Sequence, residues 1–318
     1  MKSKHLLVLL PAAAIAGVVF GQGSLAPNGA PAPAMKTLDQ IEPRTPISSL
    51  PYLITQPGSY YLTRNLEASP ATGGGNGAIS IQTGNVTLDL NSFTLSSTAA
   101  IVNQSAITVG NVVPAPRSIR ITNGTIRGTT TVVTSGDFPA RSWVVTPGGF
   151  RHGIDATSGL ACEFCHLTII GCRFEGLQAG RGSRIHHVTA EQNGGRGIQL
   201  TFGTEAEVSH CLAWLNGADG IYTNGAAVSH CRSSTNGRDG ISAQSGAVAH
   251  CVSTDNFING IDVSAGAVSH CVAKENGSDG IRGGLVTAFC TASLNNRRNN
   301  GSEDIDGANS RTGNSPAP

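Results

Sequence analysis

The sequence predicts an all-β solenoid, a parallel β-helix, on three observations. The first is an internal repeat: VSHCLAWLNGADGIYTNGAA at 208–227 is followed by VSHCRSSTNGRDGISAQSGA at 228–247, VAHCVSTDNFINGIDVSAGA at 248–267 and VSHCVAKENGSDGIRGGLVT from 268. The second is periodicity. Apolar residues alternate over short runs such as Ala78-Ile79-Ser80-Ile81, Val86-Thr87-Leu88-Asp89-Leu90 and Ile119-Arg120-Ile121, bounded by Gly, Asn or Pro, and no helical stripe of useful length occurs. The third is composition, with 41 Gly and only 13% charged residues in 318. A 20-residue unit of short strands cannot bury its apolar side alone, so units must stack in register.

The repeat also assigns directions. Strand alternation points Val208, Cys211, Ala213, Ile221 and Thr223 inward and Ser209, Leu212 and Tyr222 outward. A looser copy precedes the regular units, with His187, Asn193, Gly197 and Ile198 in the corresponding slots, and another unit follows at Cys290. Residues 47–300 then make about 11–12 coils at about 4.8 Å per coil.

The remaining segments read differently. Lys2 and Lys4 precede an apolar run from Leu6 to Phe20 with small residues after it, which predicts a secretory signal peptide over 1–21. Residues 22–46 form a Pro/Ala/Gly-rich linker, and 301–318 lack apolar spacing and read as a flexible tail. Cleavage after Gly21 leaves 19 basic and 20 acidic residues, a charge that offers nothing to nucleic acid, and no second apolar run would span a membrane. The expected location is periplasmic, secreted or at the cell surface.

Repeated positions are read as scaffold. The column His187, His210, His230, His250 and His270 would place imidazoles one coil apart at a corner, each stacked on its copy. Asn193, Asn216, Asn236, Asn256 and Asn276 would satisfy buried turn amides. Asp219, Asp239 and Asp279, with Asn259 in register, suit turns, and a calcium ridge is the weaker reading. Of eight cysteines, the 20-residue series would be a row of buried thiols with parallel Cβ vectors, whereas Cys162, Cys165 and Cys172 are the candidates for a bridge. Cys162-Glu163-Phe164-Cys165-His166 matches the C-x-x-C-H pattern of covalent haem attachment, but once and within a strand-rich stretch, so no cofactor and no metal are expected.

Further segments carry a resemblance: MKTLDQIEPRTPI at 35–47, QPGSYYLTRNL at 56–66, NVTLDLNSFTL at 85–95, ITNGTIRG at 121–128 and the NGADGI and NGRDGI units. They resemble the right-handed parallel β-helix superfamily that includes pectate lyases, and more closely a group of uncharacterised exported bacterial β-helix repeat proteins. The resemblance implies the fold. It leaves function open among lyases, hydrolases, epimerases, adhesins and inert scaffolds. The Asp-Asp and Gly-His-Gly strings of the galacturonan hydrolases do not occur, and neither a lyase-type calcium cluster nor the lyase Arg strand signature is recognisable.

Two sets of site residues follow. Arg151, His152 and Asp155 are the nearest approach to a catalytic group. The outward slot after each Gly-Ile carries Asp155, Gln199, Tyr222, Ser242, Asp262 and Arg282, of which Tyr222, Asp262 and Arg282 form a candidate ligand-binding stripe, a ring to stack on and charges to hold hydroxyls or carboxylates. The reading is a non-catalytic module that binds or scaffolds on extracellular polysaccharide or a cell-surface glycan. The alternative is a polysaccharide lyase or glycoside hydrolase.

Overall fold

Each unit folds as one turn of a solenoid because its polar pairs bend the chain between three short apolar strands. The computed structural model describes residues 43–69, 77–97, 104–110, 112–202, 205–301, 303–306, 311–312 and 315–316. The expected signal peptide and the linker up to residue 42 lie outside the described residues. The solenoid belongs to the unit Arg44–Pro318. Among the described residues no helix is long and apolar enough to cross a membrane.

Strands from successive coils pair in parallel register and form three faces. On the first, Ile79, Ile107, Ile154, Leu177, Ile198, Ile221, Ile241, Ile261, Ile281 and Ile305 are consecutive register partners pointing inward. On the second, Leu88, Ile121, Phe164, Ile185 and then Val208, Val228, Val248 and Val268 make the inward row. On the third the row runs Leu66, Leu95, Ile126 and Ile169, then Ala190, Ala213, Ser233, Ser253, Ala273 and Ala292. All but Ile305 and Leu66 in these rows are essentially sealed from solvent. The first face holds eleven strands among the described residues, in keeping with the predicted coil number.

The corners explain the repeated polar residues. Each column histidine adopts the left-handed region, with φ of 53–54°. That turn aims the following thiol back, so Cys211, Cys231, Cys251 and Cys271 each lie 3.2 Å from the carbonyl oxygen two residues earlier. The imidazoles stack at centroid distances of 4.9–5.2 Å from His187 to His270. His166 extends the stack at one end and Phe289 closes the other. At the next corner each Asn Nδ2 donates to the Oδ1 of the Asn one coil on, from Asn193 through Asn276 to Asn295 at 2.9–3.0 Å. Glycine is required beside this ladder. A Cβ at Gly240 would collide with Ser253 Oγ and stand 2.6 Å from Asn256 Nδ2.

Several expectations need correction. The first strand, Thr45–Ile47, starts inside the expected linker. The ladder also passes residue 300: Ile305–Asp306 pairs with Ile281 and Arg282, because Ile305 re-enters the apolar row and Asp304 Oδ1 accepts the last ladder amide from Asn295 at 2.7 Å. Ser209 does stand on the outer side, in register with His186, but it is covered there and not exposed. All eight cysteines are free. No bridge joins Cys162, Cys165 and Cys172: Cys165 lies outside the core, on the outer side of its strand, and Cys162 and Cys172, both in the core, flank opposite ends of the strand Glu163–Ile170.

One excursion leaves the coil. Thr131–Ser135 and Ser142–Thr146 pair as an antiparallel hairpin. Its Phe138 stacks on Phe257, Arg141 Nη1 lies 2.9 Å from Asp255 Oδ1, and Arg297 reaches the same oxygen at 3.1 Å.

Candidate functional site

The outward row of the first face is built by register alone. Thr108, Asp155, Gln178, Gln199, Tyr222, Ser242, Asp262, Arg282 and Asp306 are successive partners, one coil apart. Every residue of the predicted stripe stands in this row. Gln178 was missed because its coil carries Gly176-Leu177 in place of Gly-Ile. Asp262 and Arg282 are neighbours, with Arg282 Nη1 3.7 Å from Asp262 Oδ2, and Tyr222 stands two coils away from Asp262.

A second row of charge flanks it, from the turns that enter the strands. Arg196 connects the two: its Nε lies 2.9 Å from Asp219 Oδ2, its Nη1 donates to Gln199 Oε1 at 3.2 Å, and its guanidinium covers the Tyr222 ring at 4.0 Å. Arg238 approaches Asp219 Oδ1 at 3.7 Å. In the Asp column each side-chain oxygen accepts the backbone N–H of the next coil: Asp239 onto Asp219 at 3.3 Å, Asn259 onto Asp239 at 2.9 Å, Asp279 onto Asn259 at 3.1 Å. One oxygen of each rung is thus committed to the scaffold, which is the turn role read from the sequence.

These carboxyls do not share one environment. Burial pushes Asp239 up to about 7, with the nearby Asp219 and Asp262 carboxylates adding to it against the Asn259 N–H bond. Asp262 is also raised by burial, opposed by Arg282.

The three residues nearest to a catalytic group do not assemble. Arg151 is exposed, and Asp155 Oδ1 accepts from Thr157 Oγ1 at 2.9 Å. His152 is buried, with its Nδ1 3.2 Å from both Glu175 Oε2 and Gln178 Nε2. Burial works to raise the Glu175 carboxyl, but the His152 and Gln178 bonds outweigh it and hold it below the usual range. Spacing hid this pair, because the partners sit on successive coils of unequal length.

The C-x-x-C-H stretch does not fit haem. Cys162 belongs to the core and Cys165 lies two places past the outward Glu163 on the same side of the strand, so the two sulfurs leave from opposite faces. His166 is committed to the imidazole stack, 5.0 Å from His187.

A family model described as "Right handed beta helix region" matches residues 148–296. No curated protein matches the chain. Among solved structures, the periplasmic alginate epimerase AlgG aligns with a TM-score of 0.56 at 13% identity, covering 83% of this chain and 76% of that one. The Dettilon tailspike protein gp208 aligns with a TM-score of 0.56 at 12% identity, covering 85% and 61%. The Azotobacter vinelandii mannuronan C-5 epimerase AlgE6 A-module aligns with a TM-score of 0.50 at 13% identity, covering 76% and 69%. The chain is a right-handed parallel β-helix.

Proposed function

We propose that this β-helix binds an extracellular polysaccharide or cell-surface glycan along its first face without turning it over. The observation that carries the reading is the outward row itself, a Tyr ring backed by Arg196 and followed at coil spacing by Ser242, Asp262 and Arg282. A row of this kind offers a stacking surface and planar donors to successive sugar rings. The named activities of two similar structures, epimerases of alginate and mannuronan, favour an acidic polymer as the first probe. Export through the leader at 1–21 supports a location in the periplasm or outside the cell, and N-terminal mass spectrometry of protein from an exporting host tests cleavage after Gly21.

The binding test is retention on immobilised alginate, polygalacturonate and neutral glycans. Tyr222→Ala and Arg282→Ala are each expected to weaken retention about 10-fold; unchanged retention in both would remove the reading. A second reading, a polysaccharide lyase or glycoside hydrolase, is favoured by Asp239, a carboxyl pushed up to about 7 in the turn beside the first face, with the Asp262 carboxylate nearby. New reducing ends or unsaturated products from any polymer, lost in Asp239→Asn, would replace binding by turnover.

A further inference from the structure

The second face carries a different cluster. On its outer side Arg120, Glu163 and Arg184 are register partners, and two residues along Thr122, Cys165 and His186 are partners too. Residues i and i+2 of a strand share a face, and the cross-strand neighbour stands close beside them. Glu163, Cys165 and His186 therefore converge, their ligating atoms all within 4.8 Å of one another. Among the described residues no other three His, Cys, Asp or Glu side chains do so.

We propose that Glu163, Cys165 and His186 form a site for a borderline divalent metal ion, with Zn²⁺ as its type. Carboxylate oxygen, thiolate and imidazole are the donor set such ions take, and three protein ligands leave a fourth position for water or an exogenous ligand. A tetrahedral ion with bonds of about 2.0–2.3 Å holds its ligands roughly 3.3–3.8 Å apart, a spacing the cluster reaches by side-chain adjustment alone.

Neighbouring groups are arranged as supports. His186 Nε2 faces Glu163 Oε1 at 3.0 Å, and His186 Nδ1 faces His187 Nδ1 at 3.1 Å. With Nε2–H donating to the carboxylate, His187 must supply the proton between the two Nδ1 atoms. A metal taking the Nε2 position displaces the proton there, which solvent carries to the bare Nε2 of His187, while the shared proton shifts to His186 Nδ1; both rings stay neutral, and His187 Nδ1 becomes the outer acceptor that fixes the ligand ring. Only the Cys165 thiol then loses a proton to solvent. Thr122 Oγ1, 3.2 Å from Cys165 Sγ, is placed to donate to the thiolate.

Arg120 already brings positive charge to this spot, 3.5 Å from both Cys165 Sγ and Glu163 Oε2. Its side chain is 48% exposed and has room to swing out as the metal enters. A cleft of about 430 Å³, lined by Arg120, Glu163, Arg184 and Glu205, opens beside Glu163 and gives a path from solvent. The arrangement also resolves the sequence motif. Cys165 belongs to this cluster, whereas Cys162 is core and His166 is part of the stack.

The test uses the reduced, metal-stripped full chain titrated with Zn²⁺ and Co²⁺. One equivalent is expected to bind, with a thiolate-to-cobalt charge-transfer band. Cys165→Ser should abolish the band and weaken Zn²⁺ binding about 100-fold, and Glu163→Gln and His186→Asn about 10-fold or more, with thermal melts confirming that each variant folds. The double variant His230→Asn/His250→Asn, which breaks the imidazole stack away from the cluster, should bind as the parent does. Absence of the cobalt band, binding that survives Cys165→Ser, or binding lost in the stack variant would overturn the site.

Discussion

The two halves of this solenoid solve the same packing problem with different materials. In the coils up to about residue 170 the third-face row is Leu66, Leu95, Ile126 and Ile169, and the second face carries Leu88, Ile121 and Phe164. In the regular coils the same rows shrink to Ala or Ser and to Val, and the interior is completed by the thiol row and the Asn ladder. The first half is held by apolar volume. The second keeps its Ile and Val rows but adds a continuous Asn ladder to a thinner apolar interior. Side chains in the repeated columns bond mainly to their own copies. The cluster at Glu163, Cys165 and His186 and the His152–Glu175 pair both arise where the repeat is broken.

The sharpest test of that contrast pairs one variant from each half. Asn256 accepts from Asn236 N and Nδ2 and donates to Asn276 Oδ1 and Ser253 Oγ, all at 3.0–3.1 Å. Asn256→Ala is expected to cost about 3–5 kcal/mol in denaturant unfolding, as much as Ile126→Ala in the other half although far less apolar volume is lost. A cost below about 1 kcal/mol would mean the ladder is ornamental.

Next is Asp239, whose slot is filled by Asn259 one coil later. A carboxyl raised in the folded state from 3.8 to about 7 gives the unfolded chain its proton loss first, so stability is intact below pH 4 and declines as pH rises to 7. Asp239→Asn should therefore be more stable than the parent by roughly 2–4 kcal/mol at pH 8 and nearly equal to it at pH 4.

The thiol row sets a smaller effect on the alkaline side. Contact with Cys231 and burial push Cys251 up to about 12, and contact with Cys251 and burial do the same for Cys271. Folding stability should hold below pH 9 and fall between pH 9 and 12, and Cys251→Ala, costing roughly 1–2 kcal/mol at pH 7, should flatten that fall. At pH 8 the row should resist a disulfide exchange reagent until the protein unfolds.

The least effect is expected at the imidazole stack. His250 sits at φ 54°, a region that Asn tolerates well, so His250→Asn should move stability by less than about 0.5 kcal/mol. A large loss would make the rings part of the scaffold's strength.

These halves also differed in how far they could be read from sequence. Four near-identical units put His210, Cys211, Asn216 and Ile221 into columns by counting, and inward and outward positions followed from alternation. Where spacing drifts, counting fails. His187 and His210 are 23 apart and His270 and Phe289 are 19 apart, so the aromatic cap at Phe289 escaped notice, as did His166 at the other end. Cys165 and His186 meet only because their coils align, which no fixed offset reveals. The hairpin did leave a trace, TVVT and SWVV on either side of SGDFPAR, but nothing local says that it lies against Phe257.

That hairpin changes how the molecule comes apart. A solenoid whose coils touch only their neighbours behaves as a one-dimensional chain of coupled units and can unzip from an end one unit at a time. Here Val145 rests over Gly194 and Gly217 while Phe138 and Arg141 hold Phe257 and Asp255, and Arg297 joins the same knot. Coils far apart in the sequence thus share one clasp. Loss of the last coil must also loosen the hairpin, which lengthens the cooperative unit and makes the C-terminal coils melt together.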